Sequence, residues 1–126
     1  MRIYLVQHGE AKDKAVDSER ALSDQGKEDI TRVAGFLSLF ERPKPSLIVH
    51  SDKLRAVQTA TMFAEAWQVR RLQESSGLAP NATPEVWANR LQEMTEDVLL
   101  VGHLPHLSKL ASLLVQGDAN EDTLAF

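Results

Sequence analysis

Two histidines and an arginine follow apolar runs of this 126-residue chain. His8 comes shortly after the run at 3–6, His103 comes shortly after another run, and Arg55 lies a little beyond Val49. A neutral imidazole, whose pKa is ordinarily about 6.5, can attack phosphorus and form a phosphohistidine. A guanidinium offers a planar fork of donors to phosphoryl oxygens. These residue types indicate phosphoryl chemistry if the fold brings them together.

The apolar runs predict strands of one sheet, and the first run is typical of a strand buried on both faces. Strands alternate with helical patterns along the chain, which predicts an α/β fold: a three-layer α/β/α sandwich around a mainly parallel sheet. Ligand crevices of such sheets lie at the carboxyl ends of the strands. The predicted strands are 3–6, 46–50, 97–102 and a short one at 69–73. The predicted helices are 24–40, one that follows Ser51, 84–95 and 105–115.

The helix boundaries carry local signals. Ser23 and Ser51 are predicted N-caps, the prolines after Arg42 end the first helix, and Gly117 with Asp118 ends the last. Residues 9–22 form a long charged loop over the end of the first strand, and loops of this length are usually functional. The predicted buried faces are Ile30, Val33, Ala34, Leu37 and Phe40 in the first helix, Leu54, Val57, Thr61, Ala64 and Trp67 in the second, and Val86, Trp87, Leu91 and Met94 in the third.

Composition excludes several classes of protein. Hydrophobic residues make up 43% and charged residues 25%, which is typical of one soluble globular domain spanning 1–126. The longest apolar run is far too short to span a membrane. The chain has no cysteine and no basic leader before the first strand, so we expect a cytoplasmic protein without disulfides. A net charge of -4 with scattered basic residues disfavours nucleic acid as a partner.

Three segments carry a family resemblance. Gln-His-Gly-Glu-Ala at 7–11, Ser-Asp-Lys-Leu-Arg-Ala-Val-Gln-Thr-Ala at 51–60 and Val-Gly-His-Leu-Pro at 101–105 resemble, in order and spacing, the motifs of the histidine phosphatase superfamily. Segment 19–26 is similar to the Arg-x-Leu-Thr-x-x-Gly segment of its small SixA-like phosphohistidine phosphatase branch. The resemblance covers nearly the whole chain and implies a phosphoglycerate-mutase-like fold without a cap domain.

The resemblance also implies roles for individual residues. His8 would be the nucleophile, Arg55 a phosphate clamp, and His103 a second phosphate ligand. No cofactor or metal is implied. The further residues expected at the phosphate or substrate site are Gln7, Gly9, Arg20 and Ser51.

The chain departs from the family pattern at three places. The first motif has Gln7 where the family has arginine, which removes a charge and a bidentate fork. About 1.5 to 3 kcal/mol of stabilisation could be lost, or one to two decades in rate. Gly77 stands where some members carry a glutamate proton donor, which fits a phosphoramidate substrate with a good leaving group. The end at Phe126 leaves two alternatives: a sheet without the family's C-terminal strands, or a truncated chain.

The predicted substrate is a phosphohistidine on a signalling protein of the phosphotransfer-domain type, hydrolysed by a monomer. Two alternatives stay open: a broad phosphomonoesterase acting on small phosphate esters, and a phosphate- or phosphohistidine-binding module whose turnover is weakened by Gln7. His50 and His106 match no family position, so we interpret them as packing residues. The four histidines show no metal-ligand spacing, so no zinc site is predicted.

Overall fold

The computed structural model describes residues 1–40 and 43–116, and their backbone forms four strands and four helices. Arg42, the predicted helix-ending signal at Gly117 with Asp118, and the chain end at Phe126 lie outside these residues, whereas the prolines that were predicted to end the first helix, Pro43 and Pro45, lie within them. The elements in chain order are β1 (Ile3–Gln7), α1 (Asp24–Phe40), β2 (Leu47–His50), α2 (Leu54–Trp67), β3 (Leu72–Glu74), α3 (Pro84–Glu93), β4 (Val98–Gly102) and α4 (His106–Gln116).

The four strands form one parallel sheet in the order β1-β4-β2-β3. Gln7 pairs with Gly102, and His50 pairs with Val101, so β1, β4 and β2 end at the same level of the sheet. Helices cross over between the strands, as parallel pairing requires. The predicted α/β class with a mainly parallel sheet is therefore confirmed.

The helices cover both faces of the sheet and bury two hydrophobic clusters. One cluster joins α1 and α2 to one face, around Ile48, Phe63 and Leu99. The other joins α3 and α4 to the opposite face, around Trp87 and Leu100. Neighbouring residues of β4 contribute to opposite clusters because successive side chains of a strand point to opposite faces. The result is the three-layer arrangement.

Burial of the first strand differs from the prediction. β4 is buried along its whole length, whereas residues 3–6 of β1 are only half-buried, so the expectation of burial on both faces is wrong. β1 lies at the edge of the sheet and pairs with β4 alone among the described strands. The apolar run therefore predicts a strand correctly, but it does not show whether that strand is central or at the edge of the sheet.

The predicted buried faces of the helices are partly wrong. In α1, Val33 is 48% and Phe40 69% exposed, and burial is confined to a narrower stripe through Ile30 and Ala34. In α3, Val86 is exposed. The buried face of α2 consists of small residues and one ring, which lets the helix lie close to the sheet: Ala56, Thr59, Ala60, Phe63 and Ala64.

Of the two predicted N-caps, Ser23 is confirmed and Ser51 is wrong. Ser23 Oγ accepts a hydrogen bond from the Gly26 backbone N–H at 3.0 Å, which confirms the cap of α1. Ser51 does not cap α2, since the N-cap residue is Lys53 and no side chain caps that helix. The Ser51 hydroxyl has another partner, His103. No helix within the described ranges is both long and apolar enough to cross a membrane.

Candidate functional site

Three neighbouring strands deliver polar side chains to one end of the sheet. The residues after β1, β2 and β4 are His8, Ser51 and His103, and the backbone continues the ladder at this level: His8 N–H donates to the Gly102 carbonyl at 3.1 Å. The His8 and His103 rings lie with their centroids 4.9 Å apart, tilted by 55°. The shared strand register therefore brings together residues that are far apart in sequence.

Hydrogen bonds define the tautomer of His8. Its Nδ1 lies 2.7 Å from the Gly9 carbonyl oxygen, which can only accept, so Nδ1 carries the proton. Arg55 Nε–H donates to His8 Nε2 at 3.3 Å, so Nε2 carries a lone pair. The half-buried imidazole is thus held with one basic nitrogen directed at the guanidinium.

Gly9 has a structural role in addition to the one predicted. Its N–H donates to Thr59 Oγ1 at 3.0 Å and is not free for a phosphate oxygen. A Cβ on Gly9 would come within 2.5 Å of Ile30 Cδ1, so only glycine lets α1 approach the start of the loop. The residue positions His8 through its carbonyl and lets α1 lie close to the loop through its lack of a side chain, and its contact with phosphate stays a prediction.

His103 lies deeper than His8, with 1% of its surface exposed. Its Nε2 and Ser51 Oγ are hydrogen-bonded at 2.6 Å, and the Lys53 backbone N–H donates to the same hydroxyl at 3.4 Å. Its Nδ1 is buried and has no hydrogen-bond partner in residues 1–40 and 43–116. Ser51 therefore orients the ring of His103, which the predicted capping role did not anticipate.

The electrostatics keep both imidazoles neutral. Burial lowers the pKa of His8 below its ordinary value, the charges of Arg55 and Arg20 act in the same direction, and the hydrogen bond to Gly9 opposes them. Burial, followed by His8, Arg55 and Lys53, lowers the pKa of His103 to about 4, against a raising effect of Asp52. At neutral pH the positive charge near the two rings therefore belongs to Arg55, Arg20 and Lys53.

The predicted loop at 9–22 brings Arg20 to the site. Arg20 adopts a left-handed backbone conformation, with φ of 53°, and its Nε–H donates to the Lys12 carbonyl at 3.0 Å. The Gln58 side chain accepts from the Leu22 N–H at 2.7 Å, which ties the loop to α2. The charge of Arg20 lowers the pKa of both His8 and Arg55, so it lies within electrostatic range of each.

Gln7 is the last residue of β1, and its side chain is exposed. Within the described residues the amide makes no hydrogen bond, so no local network holds it. The structure thus brings His8, Arg55, His103 and Ser51 into direct contact and places Arg20 nearby, while Gln7 lies next to His8 without being fixed.

Two open cavities are lined by residues that contact the two histidines: Arg55 borders one and Ser51 the other. The larger, of about 640 Å³, lies between the loop and the start of α2 and is bordered by Arg20, Asp52 and Arg55. The smaller, of about 360 Å³, lies on the Ser51 side and is bordered by Asp52 and the segment 74–79. Asp52 borders both cavities, which are open to solvent, so the surface beside Arg55 and Ser51 is an exposed cleft.

Sequence reasoning missed the positioning roles of Gln58, Thr59 and Gly26. A Cβ on Gly26 would collide with the Glu10 backbone, so this glycine lets α1 pack against the loop. All three residues belong to the motif segments at 19–26 and 51–60, so the signal was present, but their hydrogen-bond partners are not readable from spacing. The described part of the chain contains no group of three or more histidine, aspartate or glutamate side chains that could hold a metal ion.

Comparisons with known proteins agree with this geometry. The sequence profile of the histidine phosphatase superfamily, branch 1, matches residues 3–98. A comparison with curated protein sequences found no match.

Several solved structures share the fold. The protein histidine phosphatase SixA complexed with tungstate superposes with a TM-score of 0.84 at 26% identity, covering 94% of this chain and 79% of that one. A protein assigned as the phosphohistidine phosphatase SixA of Agrobacterium tumefaciens gives 0.79 at 25% identity, covering 90% and 77%. A phosphoglycerate mutase from Plasmodium falciparum, with 0.67 at 18% identity and coverage of 87% and 65%, shows likeness of fold alone.

Proposed function

The chain belongs to the histidine phosphatase superfamily, and from that premise we propose that it is a phosphohistidine phosphatase working through a transient phospho-His8. The observation that carries the proposal is the hydrogen bonding of His8. Nδ1–H is engaged by the Gly9 carbonyl, and the lone pair of Nε2 points at Arg55. A neutral, oriented imidazole beside a fixed cation is what nucleophilic attack on a phosphoryl group requires.

In the first step His8 Nε2 attacks phosphorus, an N–P bond forms, and the bond from phosphorus to the substrate's imidazole breaks. The substrate's imidazole, which carries a proton on its free ring nitrogen, takes the electron pair of the broken N–P bond and leaves as neutral histidine. Such a leaving group needs little acid catalysis, which is consistent with Gly77 at the position of the family's glutamate donor. In the second step water attacks phospho-His8, phosphate leaves, and Nε2 regains its lone pair.

Arg55 and His103 stabilise charge in this scheme. Arg55 already directs its Nε–H at the attacking nitrogen, so its guanidinium lies where the phosphoryl oxygens arrive. We assign His103 a second contact, in which a phosphoryl oxygen replaces the Ser51 hydroxyl as the partner of Nε2–H. Arg20 contributes long-range positive charge from the loop. The chemistry is complete without a metal, so metal independence is part of the proposal.

The substrate part of the proposal is a phosphohistidine on a signalling protein. The site is an open cleft at the end of the sheet, which suits a side chain presented on a protein surface, whereas small ligands are usually enclosed in their pockets. The likeness to SixA structures supports the same substrate class.

The test is a turnover assay with a phosphohistidine peptide and with p-nitrophenyl phosphate, each with and without a chelator. We expect turnover of the peptide, insensitivity to the chelator, and an acid-labile phosphate on the quenched protein. In His8→Ala both turnover and the labelled protein should be lost, by a factor on the order of 10⁴ or more. His106→Leu is the matched control, because that ring contacts no polar group of the site.

Each alternative has its own outcome in this assay. Preference for p-nitrophenyl phosphate over the peptide would favour the phosphomonoesterase. Phosphate binding without turnover by the wild type would favour the binding module. Inhibition by the chelator would contradict metal independence, and turnover that survives His8→Ala would contradict the phospho-His8 intermediate.

A further inference from the structure

The larger cavity, which is lined by Arg55, has a charge opposite to that of the whole chain. Its loop wall carries Lys14 and Arg20, and its helix wall carries Lys53 and Arg55. Only two acidic residues, Glu19 and Asp52, share the lining. The complete sequence has a net charge of -4, so this basic groove stands out on an otherwise acidic molecule.

The four basic residues divide into an inner and an outer pair. Arg55 contacts His8, and Arg20 lies close enough to lower its pKa, so the inner pair belongs to the phosphate site. Lys14 and Lys53 have exposed side chains and make no hydrogen bond or ion pair through their ammonium groups within the described residues. Lys53 is among the charges that lower the pKa of His103, so it lies within electrostatic range of the site, but within the described residues neither ammonium group contacts a residue of the phosphate site.

Resting on the proposed function, we propose that Lys14 and Lys53 select phosphohistidine substrates with acidic residues flanking the phosphorylated histidine. The groove extends from the phosphate site across an open volume of about 640 Å³, more than one phosphoryl group fills. Unpaired lysines on its two walls would meet carboxylates on either side of a histidine seated at His8. Long-range attraction of this kind affects encounter and orientation more than the chemical step.

The basic lining of this groove also favours one orientation of an acidic substrate. Carboxylates beside the phosphorylated histidine are attracted to Lys14 and Lys53 while the phosphoryl group meets Arg55. Because the two lysines are exposed, the attraction is screened by salt over a Debye length of about 8 to 10 Å at physiological ionic strength. The selectivity should therefore depend on ionic strength.

The experiment compares two phosphohistidine peptides that are identical except for glutamates or lysines flanking the phosphorylated residue. The readout is the ratio of their kcat/KM values, in which effects common to both substrates cancel. For the wild type at low salt we expect a preference for the acidic peptide of about tenfold, since exposed charge pairs each contribute only a few fold. The preference should fall toward unity as salt is added.

Charge reversal tests the assigned residues. Lys14→Glu combined with Lys53→Glu should abolish or invert the preference. Lys27→Glu, an equivalent change at an exposed position of α1 beside Glu28 and Arg32, should leave the ratio unchanged. A wild-type ratio near one, or an equal change in the Lys27 variant, would overturn the proposal.

Two further outcomes separate this inference from the proposed function. No turnover of either peptide would refute the proposed function itself, whereas equal turnover of both refutes only the charge selection. Inhibition of p-nitrophenyl phosphate turnover by a small bisphosphate, lost in the double variant and without any peptide preference, would overturn the inference in favour of a second phosphate on a small molecule.

Discussion

β1 and β4 are paired neighbours that both lead to a histidine, but they lie in different surroundings. β4 is central and buried along its length, and His103 after it is almost inaccessible. β1 is at the edge of the described sheet, and His8 after it is half-buried. The two strands end at the same level, so the sheet presents one accessible and one enclosed imidazole 4.9 Å apart.

This difference assigns different chemistry to the two rings. A nucleophile must be reached by phosphorus, and the half-buried His8 has an Nε2 lone pair that accepts a hydrogen bond from Arg55. An enclosed imidazole with a pKa of about 4 stays neutral through the physiological range and can serve only as a fixed hydrogen-bonding group. Substitutions on the two sides should therefore have different consequences.

Removing the enclosed ring should give the largest effect among these comparisons. We expect His103→Ala to lower kcat/KM for a phosphohistidine peptide by about 10² to 10³, the usual cost of deleting one donor that stabilises transition-state charge. Phospho-His8 should still form, because the nucleophile and Arg55 remain. The measurement is single-turnover kinetics with quenched labelling of the protein.

Ser51→Ala is the matched control for the enclosed side. It keeps the ring of His103 and removes only the hydroxyl at 2.6 Å, so it should cost about tenfold, the equivalent of one hydrogen bond. If both variants retained full activity with folded spectra, His103 would be a packing residue and the assignment of the two rings would be wrong.

Substitutions of Gln7 test how much positive charge the accessible histidine, His8, requires. Gln7→Arg would restore a guanidinium at the exposed end of β1, next to His8, and we expect turnover to rise by about ten- to a hundredfold if both charge and fork reach the phosphoryl group. Gln7→Lys adds the charge without the fork and should give a smaller gain. No change in either variant would mean that Arg55 and Arg20 already supply the charge required.

The sequence predicted most of the scaffold because its signals are local. Apolar runs ending in polar residues located β1, β2 and β4, and their shared level follows from parallel pairing. Ser23 was recognised as a cap because its partner lies three residues away. The helical stripe that included Val33 and Phe40 was too wide, since the periodicity of a helix does not reveal how much of it the sheet can cover.

Non-local partners limited the prediction of the site. Ser51 fits a helix cap by sequence, but its hydroxyl bonds to a ring 52 positions away. Gly9 fits a phosphate loop, but its N–H is used by Thr59. The family motifs predict which residues lie together at the site. They do not predict which atoms form hydrogen bonds, because the partners lie on other helices and strands whose placement cannot be read from sequence spacing.

His106 is a second enclosed imidazole, and its surroundings predict an effect on the free energy of unfolding. It is fully buried at the start of α4, and neither ring nitrogen has a hydrogen-bond partner in the described residues. Burial lowers its pKa, as it does for His103. We expect His106→Leu to increase the free energy of unfolding at neutral pH by about 1 kcal/mol or more, because a buried unsatisfied polar group is replaced by an apolar one.

The lowered pKa values of His106 and His103 make the stability of the folded protein decrease as the pH decreases. Below pH 6.5 the unfolded chain binds protons at His106 and His103 that the folded chain does not, so stability falls as the pH decreases toward about 4, the pKa of His103. His106→Leu removes one of these protons, and its unfolding curve should lose stability less steeply between pH 7 and 4.5. Urea titrations across this range measure both slopes.

His50→Leu is the control, since His50 Nδ1–H donates to the Ser51 carbonyl at 2.8 Å and its loss should destabilise the protein. An unchanged slope in His106→Leu would show that this ring is protonated alike in both states, and the neutral, enclosed environment would then be specific to His103.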